Sequence, residues 1–129
     1  MTKTCAGIDL IEISRIRAAI DRWGDKFLQR IYTERELAQY RTRTESLAAR
    51  FAAKEAAIKA LSLPDGGYIS WKDIEILSDV NGKPILSLSG KALQRAQESG
   101  VKTLEVSLSH TRENAVAIVI GVYSDERPA

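Results

Sequence analysis

The chain has 129 residues, 44% hydrophobic and 28% charged, with a net charge of +2. Those proportions suit a soluble globular protein, with enough chain for one domain (1–129) built on a real core. The small net charge argues against strong nonspecific nucleic-acid binding, and a single cysteine, Cys5, excludes an internal disulfide and fits a reducing compartment.

The opening "MTKTCAGIDL" lacks the basic segment and apolar run of a signal peptide, which predicts a cytoplasmic protein. "CAGIDLIEI" (5–13), rich in Ile and Leu, alternates imperfectly and predicts a strand. Ser14 is placed as N-cap of a helix, "RIRAAIDRW", that Gly24 stops. Asp25 is placed as cap of a short helix, "KFLQRI", and Thr33 with Glu36 makes a capping-box pattern ahead of "ERELAQYR". Ser46 is placed as cap of a long helix over 47–62, ended by Pro64 and Asp65-Gly66-Gly67. "YISWKDIEIL" (68–77) alternates as a strand, and Asn81-Gly82 signals a hairpin leading into "PILSLS". "KALQRAQES" (91–99) reads as a short amphipathic helix stopped by Gly100. "TLEVSLSH" and "AVAIVIGVY" (115–123) then read as two strands joined by "TREN". The second is the longest strongly apolar run; it is too short to span a bilayer and right for a buried strand, so no membrane association is expected. The order β, three or four helices, ββ, α, ββ predicts an α+β fold with a mainly antiparallel sheet. There is no internal repeat, low-complexity tract or long linker.

The long helix poses the functional question. In "RFAAKEAAIKAL" (50–61) the apolar positions spread around most of the circumference, which predicts a helix packed on nearly all sides. Arg50, Lys54, Glu55 and Lys59 nevertheless sit in it, and buried charges must be paired, metal-bound or turned toward a ligand. Arg50 and Lys54 share one face, and Lys59 lies one turn beyond Glu55. Asp9 likewise interrupts the apolar strand "GIDLI". Its structural reading is a helix cap or a pair with a buried Arg. That of Glu55 is an i, i+4 pair with Lys59, worth ~0.2–0.5 kcal/mol in an exposed helix. The functional reading has both carboxylates converge on a hard divalent cation, since Mg²⁺ usually takes one or two carboxylates plus water and substrate phosphates. Lys59 would then lie near a phosphate on that metal, an arrangement suited to phosphoryl-type transfer. No Walker-type loop or dinucleotide fingerprint is present.

Charge is unevenly placed. Residues 1–60 hold 12 Lys+Arg against 8 Asp+Glu (+4), and residues 61–129 hold 7 against 9 (−2), which favours phosphates or an acidic protein as partners of the helical half. His110, in "SLSHTREN", ends a strand. Ser107 and Ser109 alternate to its other face and no G-x-S-x-G elbow exists, so His110 reads as a structural residue or a phosphate donor rather than a catalytic base. Cys5, Trp23 and Trp71 read as packing residues, and there is no Cys/His cluster for zinc.

"GIDLIEISRI", "RFAAKEAAIKAL", "WKDIEIL…NGKPILSLSG" and "SLSHTRENAVAIVI" occur in that order over residues 5–121. Together they closely resemble the holo-[acyl-carrier-protein] synthase family, the small 4′-phosphopantetheinyl transferases. The resemblance implies an enzyme that moves phosphopantetheine from coenzyme A to a serine of apo acyl carrier protein, releasing adenosine 3′,5′-bisphosphate, for fatty acid and lipid biosynthesis. It implies Asp9 and Glu55 as Mg²⁺ ligands and Lys59 at the coenzyme A diphosphate. It also implies Arg50 and His110 at the 3′-phosphate end, and Gly82 and Pro84 lining the nucleotide site. Arg15 and Arg22, seven apart on one helix face, match the carrier-docking helix. A homotrimer with active sites between subunits is implied as well, and the proton acceptor is Glu36 or a metal-held water. Two departures stand out: Cys5-Ala6-Gly7 replaces a G-x-G entry, and Asp21 and Asp25 make the docking helix more acidic. The charges of "RFAAKEAAIKAL" are therefore read as a ligand site. The rival reading is a noncatalytic coenzyme A or nucleotide-binding module.

Overall fold

The computed structural model describes residues 3–63 and 69–124. Strand β1 (Thr4–Glu12) is followed by helices α1 (Ile13–Trp23), α2 (Asp25–Ile31), α3 (Glu34–Tyr40) and α4 (Thr44–Ala60). A 3₁₀ turn (Trp71–Asp73) leads into β2 (Ile74–Ser78), β3 (Pro84–Leu88), α5 (Gly90–Ser99), β4 (Val101–His110) and β5 (Asn114–Tyr123). β1, β5 and β4 form an antiparallel sheet in that order, and β2 and β3 form a separate antiparallel hairpin. This is the α+β arrangement expected from the segregated helices and hairpins.

Helix α4 lies between these two sheets and packs on β1, β5 and β4, on β2, and on α1 and α3. Its buried residues include Leu47, Ala48, Ala49, Ala52, Ala53, Ala56, Ala57 and Ala60, so it is enclosed on nearly all sides, as its sequence predicts. Short alanine side chains let the neighbouring backbones come close. The tightest approach is at Gly7 of β1, where an added Cβ would lie 2.0 Å from the Ala56 carbonyl oxygen and 2.7 Å from the Ala60 nitrogen. Along β1, Gly7 and Ile11 are buried against α4, while Ile8 and Leu10 alternate to the exposed outer face.

Element boundaries differ from the sequence reading where the backbone supplies its own caps. β1 ends at Glu12 and runs directly into α1, so the Ile13 amide donates to the Glu113 carbonyl at 2.8 Å and Ser14 falls inside the first turn rather than capping it. Gly24 (φ 56°) caps α2, which moves Asp25 into the first turn, where the helix dipole favours a carboxylate. α4 starts at Thr44 because the Arg43 carbonyl accepts from Ser46 and Leu47, so Ser46 is not its cap. The strand expected over 68–77 begins only at Ile74, since Ser70 caps the 3₁₀ turn by accepting from the Lys72 amide. Pro64–Tyr68, including the expected helix stop, lie outside the described residues. The expected hairpin forms with a loop over 79–83, in which Asp79 Oδ1 accepts from the amides of Asn81 (2.8 Å) and Lys83 (2.9 Å) and Gly82 has φ 82°. The capping box at Thr33 and Glu36 is present as read.

Lys54 and Glu36 form a fully buried ion pair in the interior. Lys54 Nζ donates to Glu36 Oε1 at 2.8 Å, and neither side chain is solvent-exposed. The same ammonium donates to the carbonyls of Trp71 (3.1 Å) and Ile74, while Glu36 also accepts from the amides of Thr33 and Ile76, each at 2.9 Å. One carboxylate and one ammonium thus join α3, α4, the 3₁₀ turn and β2. Burial pushes the Lys54 pKa down, and Glu36 opposes that shift. Lys54 is accordingly a structural cation, a correction to its reading as part of a ligand site. Replacing one partner should strand the other charge: Lys54→Met is expected to lower stability by about 3–5 kcal/mol in urea unfolding, and a change under about 1 kcal/mol would show that the pair is dispensable.

Candidate active site

Asp9 and Glu55 come together. Asp9 is on the α4-facing side of β1, Glu55 projects from α4, and both line a cavity of about 400 Å³ with Arg15, Ile16, Phe27 and Phe51. Lys59 Nζ lies 3.0 Å from Asp9 Oδ1 and donates to the Ile8 carbonyl at the same distance. Asp9 therefore pairs with a Lys rather than with a buried Arg. The Lys59 ammonium stays half-exposed and able to meet a ligand.

The donor set fits a magnesium-type ion bound together with its substrate. Two carboxylates border the cavity, and among the described residues no group of three or more His, Cys, Asp and Glu forms a complete protein cage. A hard cation here would take its remaining oxygens from water and a phosphorylated ligand, which is the usual coordination of Mg²⁺.

A second cluster faces away from the first. About 100° of rotation per residue puts Lys59 roughly 40° from Glu55 and Arg50 roughly 180° from Lys59 around α4. Arg50 borders a cavity of about 610 Å³ with Arg43, Lys83, Gly82, Pro84 and Ser107. Its guanidinium lies 3.9 Å from the Tyr40 ring centroid and donates to Ser78 Oγ at 2.9 Å. Tyr40 and Ser78 hydroxyls bond to each other and hold that stack. The buried Arg50 Nε has no hydrogen-bond partner among the described residues. Burial lowers the Arg50 pKa, yet a guanidinium remains charged at any physiological pH. Three cations around one opening make an anion site.

The structure thus groups Asp9, Glu55, Lys59 and Arg15 at one cavity, and Arg50, Gly82 and Pro84 at another. His110 lies outside the lining of both, exposed at the end of β4, two residues beyond Leu108 of the second cavity. Glu36 borders neither, and its engagement with Lys54 removes it as acceptor of a substrate proton. Arg22 is on α1 with its guanidinium 4.9 Å from the centre of the Trp23 ring. Trp23 is 54% exposed, which corrects its reading as a packing residue, whereas Trp71 does pack, stacked on Phe51 at 5.2 Å. The sequence reading gives Arg43, Lys83 and Gly7 no role at the site. Lys83 had a signal in "NGKP"; Gly7 acquires its meaning only from the helix lying across it.

The sequence matches the family model of the 4′-phosphopantetheinyl transferase superfamily over residues 6–119. The chain belongs to that superfamily. A holo-[acyl-carrier-protein] synthase of Herpetosiphon aurantiacus is 48% identical, covering 90% of this chain and 96% of its own. One of Dehalococcoides mccartyi is 54% identical, covering 88% and 94%. The crystal structure of the Helicobacter pylori holo-[acyl-carrier-protein] synthase in complex with coenzyme A superposes with a TM-score of 0.81 at 32% identity, over 90% of this chain and 98% of that one. The chain is therefore an enzyme, a phosphopantetheinyl transferase.

Gly7 sets how close this transferase's α4 comes to Asp9. Gly7→Ala is expected to cost about 1–3 kcal/mol of stability through overpacking. It should also lower transfer on the order of 100-fold by displacing Glu55 from Asp9, checked by denaturation and steady-state rates on the same preparation. Full activity would show that α4 can shift without consequence.

Proposed function

We propose that this transferase, acting as one domain over 1–129, moves 4′-phosphopantetheine from coenzyme A to a serine of an apo acyl carrier protein in the cytoplasm, supporting fatty acid biosynthesis, with Asp9 and Glu55 holding Mg²⁺. The observation that carries this reading is the shared cavity of the two carboxylates, with Lys59 on Asp9. When bound, Mg²⁺ supplies Lewis-acid neutralisation of the diphosphate. Lys59 offers a half-exposed ammonium to the same diphosphate and stabilises charge as it builds on the leaving adenosine 3′,5′-bisphosphate. Arg50, Arg43 and Lys83 offer an anion site for the 3′-phosphate, beside a nucleotide wall at Gly82 and Pro84. Arg15, on the rim of the metal cavity, and Arg22, one face along α1, receive the acidic carrier. His110, two residues beyond Leu108 of the Arg50 cavity, is assigned to the same 3′-phosphate from that cavity's edge.

The opposed faces of Lys59 and Arg50 on α4 support a homotrimer in which one copy's carboxylates meet another's anion pocket. The outer face of the β1–β5 sheet supplies a surface for it. Ile8, Leu10, Ile118 and Ile120 are 59%, 66%, 37% and 43% exposed, and Ile8 pairs directly with Ile118. A contiguous apolar patch of this kind marks an interface. The noncatalytic coenzyme A-binding alternative retains no supporting observation, since both carboxylates are present and border one cavity. Neither a nucleic acid nor a membrane is proposed as a partner; among the described residues no helix is long and apolar enough to cross a bilayer.

Incubation with apo acyl carrier protein, coenzyme A and MgCl₂ should add one phosphopantetheine to the carrier by intact-protein mass spectrometry, and chelation should abolish the gain. Asp9→Ala and Glu55→Ala should each eliminate transfer with the fold retained by circular dichroism; substantial residual activity would remove them as metal ligands. Ile118→Glu should convert the trimer to monomer in light scattering and abolish transfer together with assembly. A fully active monomer would refute the shared-site arrangement.

A further inference from the structure

A further cavity lies apart from the Arg50 cluster and shares only its rim with the Asp9–Glu55 cavity. It is a groove of about 740 Å³ between the first turn of α1 and the β4–β5 hairpin, bordered by Glu12, Ser14, Arg15, Arg17, Arg112 and Glu113. Arg15, Arg17 and Arg112 make no ion pair or hydrogen bond among the described residues, despite two carboxylates on the same groove. Its walls are preorganised. The Ile13 amide binds the Glu113 carbonyl at 2.8 Å and ties the hairpin to α1. Thr111 braces the hairpin tip: its amide donates to the Asn114 carbonyl at 2.8 Å, and its Oγ1 accepts from the Asn114 amide at 3.1 Å and the Glu113 amide at 3.3 Å. Arg112 is therefore presented from a fixed turn, across a groove from Arg17.

Arg15 borders this groove and the Asp9–Glu55 cavity alike. A partner lying in the groove thus has one end beside the two carboxylates. We propose that Arg17 and Arg112 are specificity-determining residues for the carrier protein: the groove receives an acidic segment flanking the acceptor serine, so the docking surface extends from α1 onto the β4–β5 hairpin. The occupant is acidic because three unpaired guanidinium groups face two carboxylates. Glu12 and Glu113, interleaved with the arginines, select against segments whose charges fall out of register. The coenzyme is the poorer occupant, since its phosphates have cationic sites in the other two cavities. This inference rests on the proposed carrier-modifying function.

The test compares wild type, Arg17→Glu/Arg112→Glu, and Arg95→Glu/Lys72→Glu, a control with the same charge change on α5 and the 3₁₀ turn. KM is measured separately for apo acyl carrier protein and for coenzyme A at low salt, and oligomeric state by light scattering. The groove variant should raise the carrier KM about tenfold, an effect that shrinks as salt screens the charges. Its KM for coenzyme A and its assembly should match wild type, and the control should shift carrier KM less than about twofold under the same screening argument. A carrier bearing Lys in place of Asp or Glu beside the serine should recover affinity for the groove variant. An unchanged carrier KM, or an equal shift in the control, would overturn the inference. So would a selective rise in coenzyme A KM, which would make the groove a phosphate site, or loss of assembly, which would make it a contact between copies. In these four cases wild-type transfer stands; absence of transfer by wild type would overturn the proposed function and this inference together.

Discussion

Everything in this molecule is arranged around a helix that has no solvent face to spare. α4 is enclosed by a three-stranded sheet on one side and by α3 and the β2–β3 hairpin on the other. That enclosure is possible because its contact positions are alanines and because Gly7 removes the side chain that would hold β1 away. Close packing then sorts the helix's charges by angle. Glu55 and Lys59 emerge where β1 brings Asp9. Lys54 points into the interior, and Arg50 reaches the hairpin side. A bulkier strand residue at position 7 or a larger α4 interface would preserve hydrophobicity and lose this sorting.

The Lys54–Glu36 pair shows why a buried ion pair can serve position rather than net stability. Removing two charges from water is expensive, and an apolar pair of the same volume would often be no less stable. An apolar pair would not, however, bind four backbone groups from three separate segments. Lys54 satisfies the carbonyls of Trp71 and Ile74, and Glu36 satisfies the amides of Thr33 and Ile76. The register of β2 is thereby tied to α4. Ser78, at the end of β2, is the residue that holds Arg50 and Tyr40, so the anion pocket inherits its geometry from the buried pair's bonds to Ile74 and Ile76 on the same strand.

What was legible in the sequence follows the range of the interactions. The capping box at Thr33, the stop at Gly100 and the hairpin at Asn81-Gly82 are local devices, and each is where its residues indicate. Ser14, Asp25 and Ser46 are not caps because each helix starts earlier than its side-chain signal indicates: the Ile13 amide binds the Glu113 carbonyl 100 residues away, and the carbonyls of Gly24 and Arg43 accept the first amides of α2 and α4. Asp9 and Glu55 were visible as charges out of place in apolar elements, and the fold brings them together. Lys54 and Glu55 are neighbours in sequence and equally anomalous, but one is sealed in the core and the other lines a cavity. Periodicity cannot separate them, because the partner that neutralises Lys54 lies on a different helix. The same limit hid Arg112, an ordinary hairpin cation until α1 is packed beside it.

The separation of the two charged cavities bears most directly on how the proposed reaction is organised. A coenzyme A molecule presents a diphosphate and a 3′-phosphate at once, and the proposed transfer requires the first to be neutralised while the second anchors the nucleotide. On this chain the residues suited to those tasks leave α4 on opposite sides, so a single protomer holds two charged cavities that do not face each other. The apolar outer sheet face carries Ile8, one residue before Asp9 and alternating with it. Association through that face would place each metal cavity near a subunit boundary, where another copy's Arg50 pocket could complete it. Strand alternation then couples assembly to catalysis at the shortest possible range: the residue that would bind a second copy and the residue that would bind the metal are adjacent in the chain and point to opposite sides of one sheet.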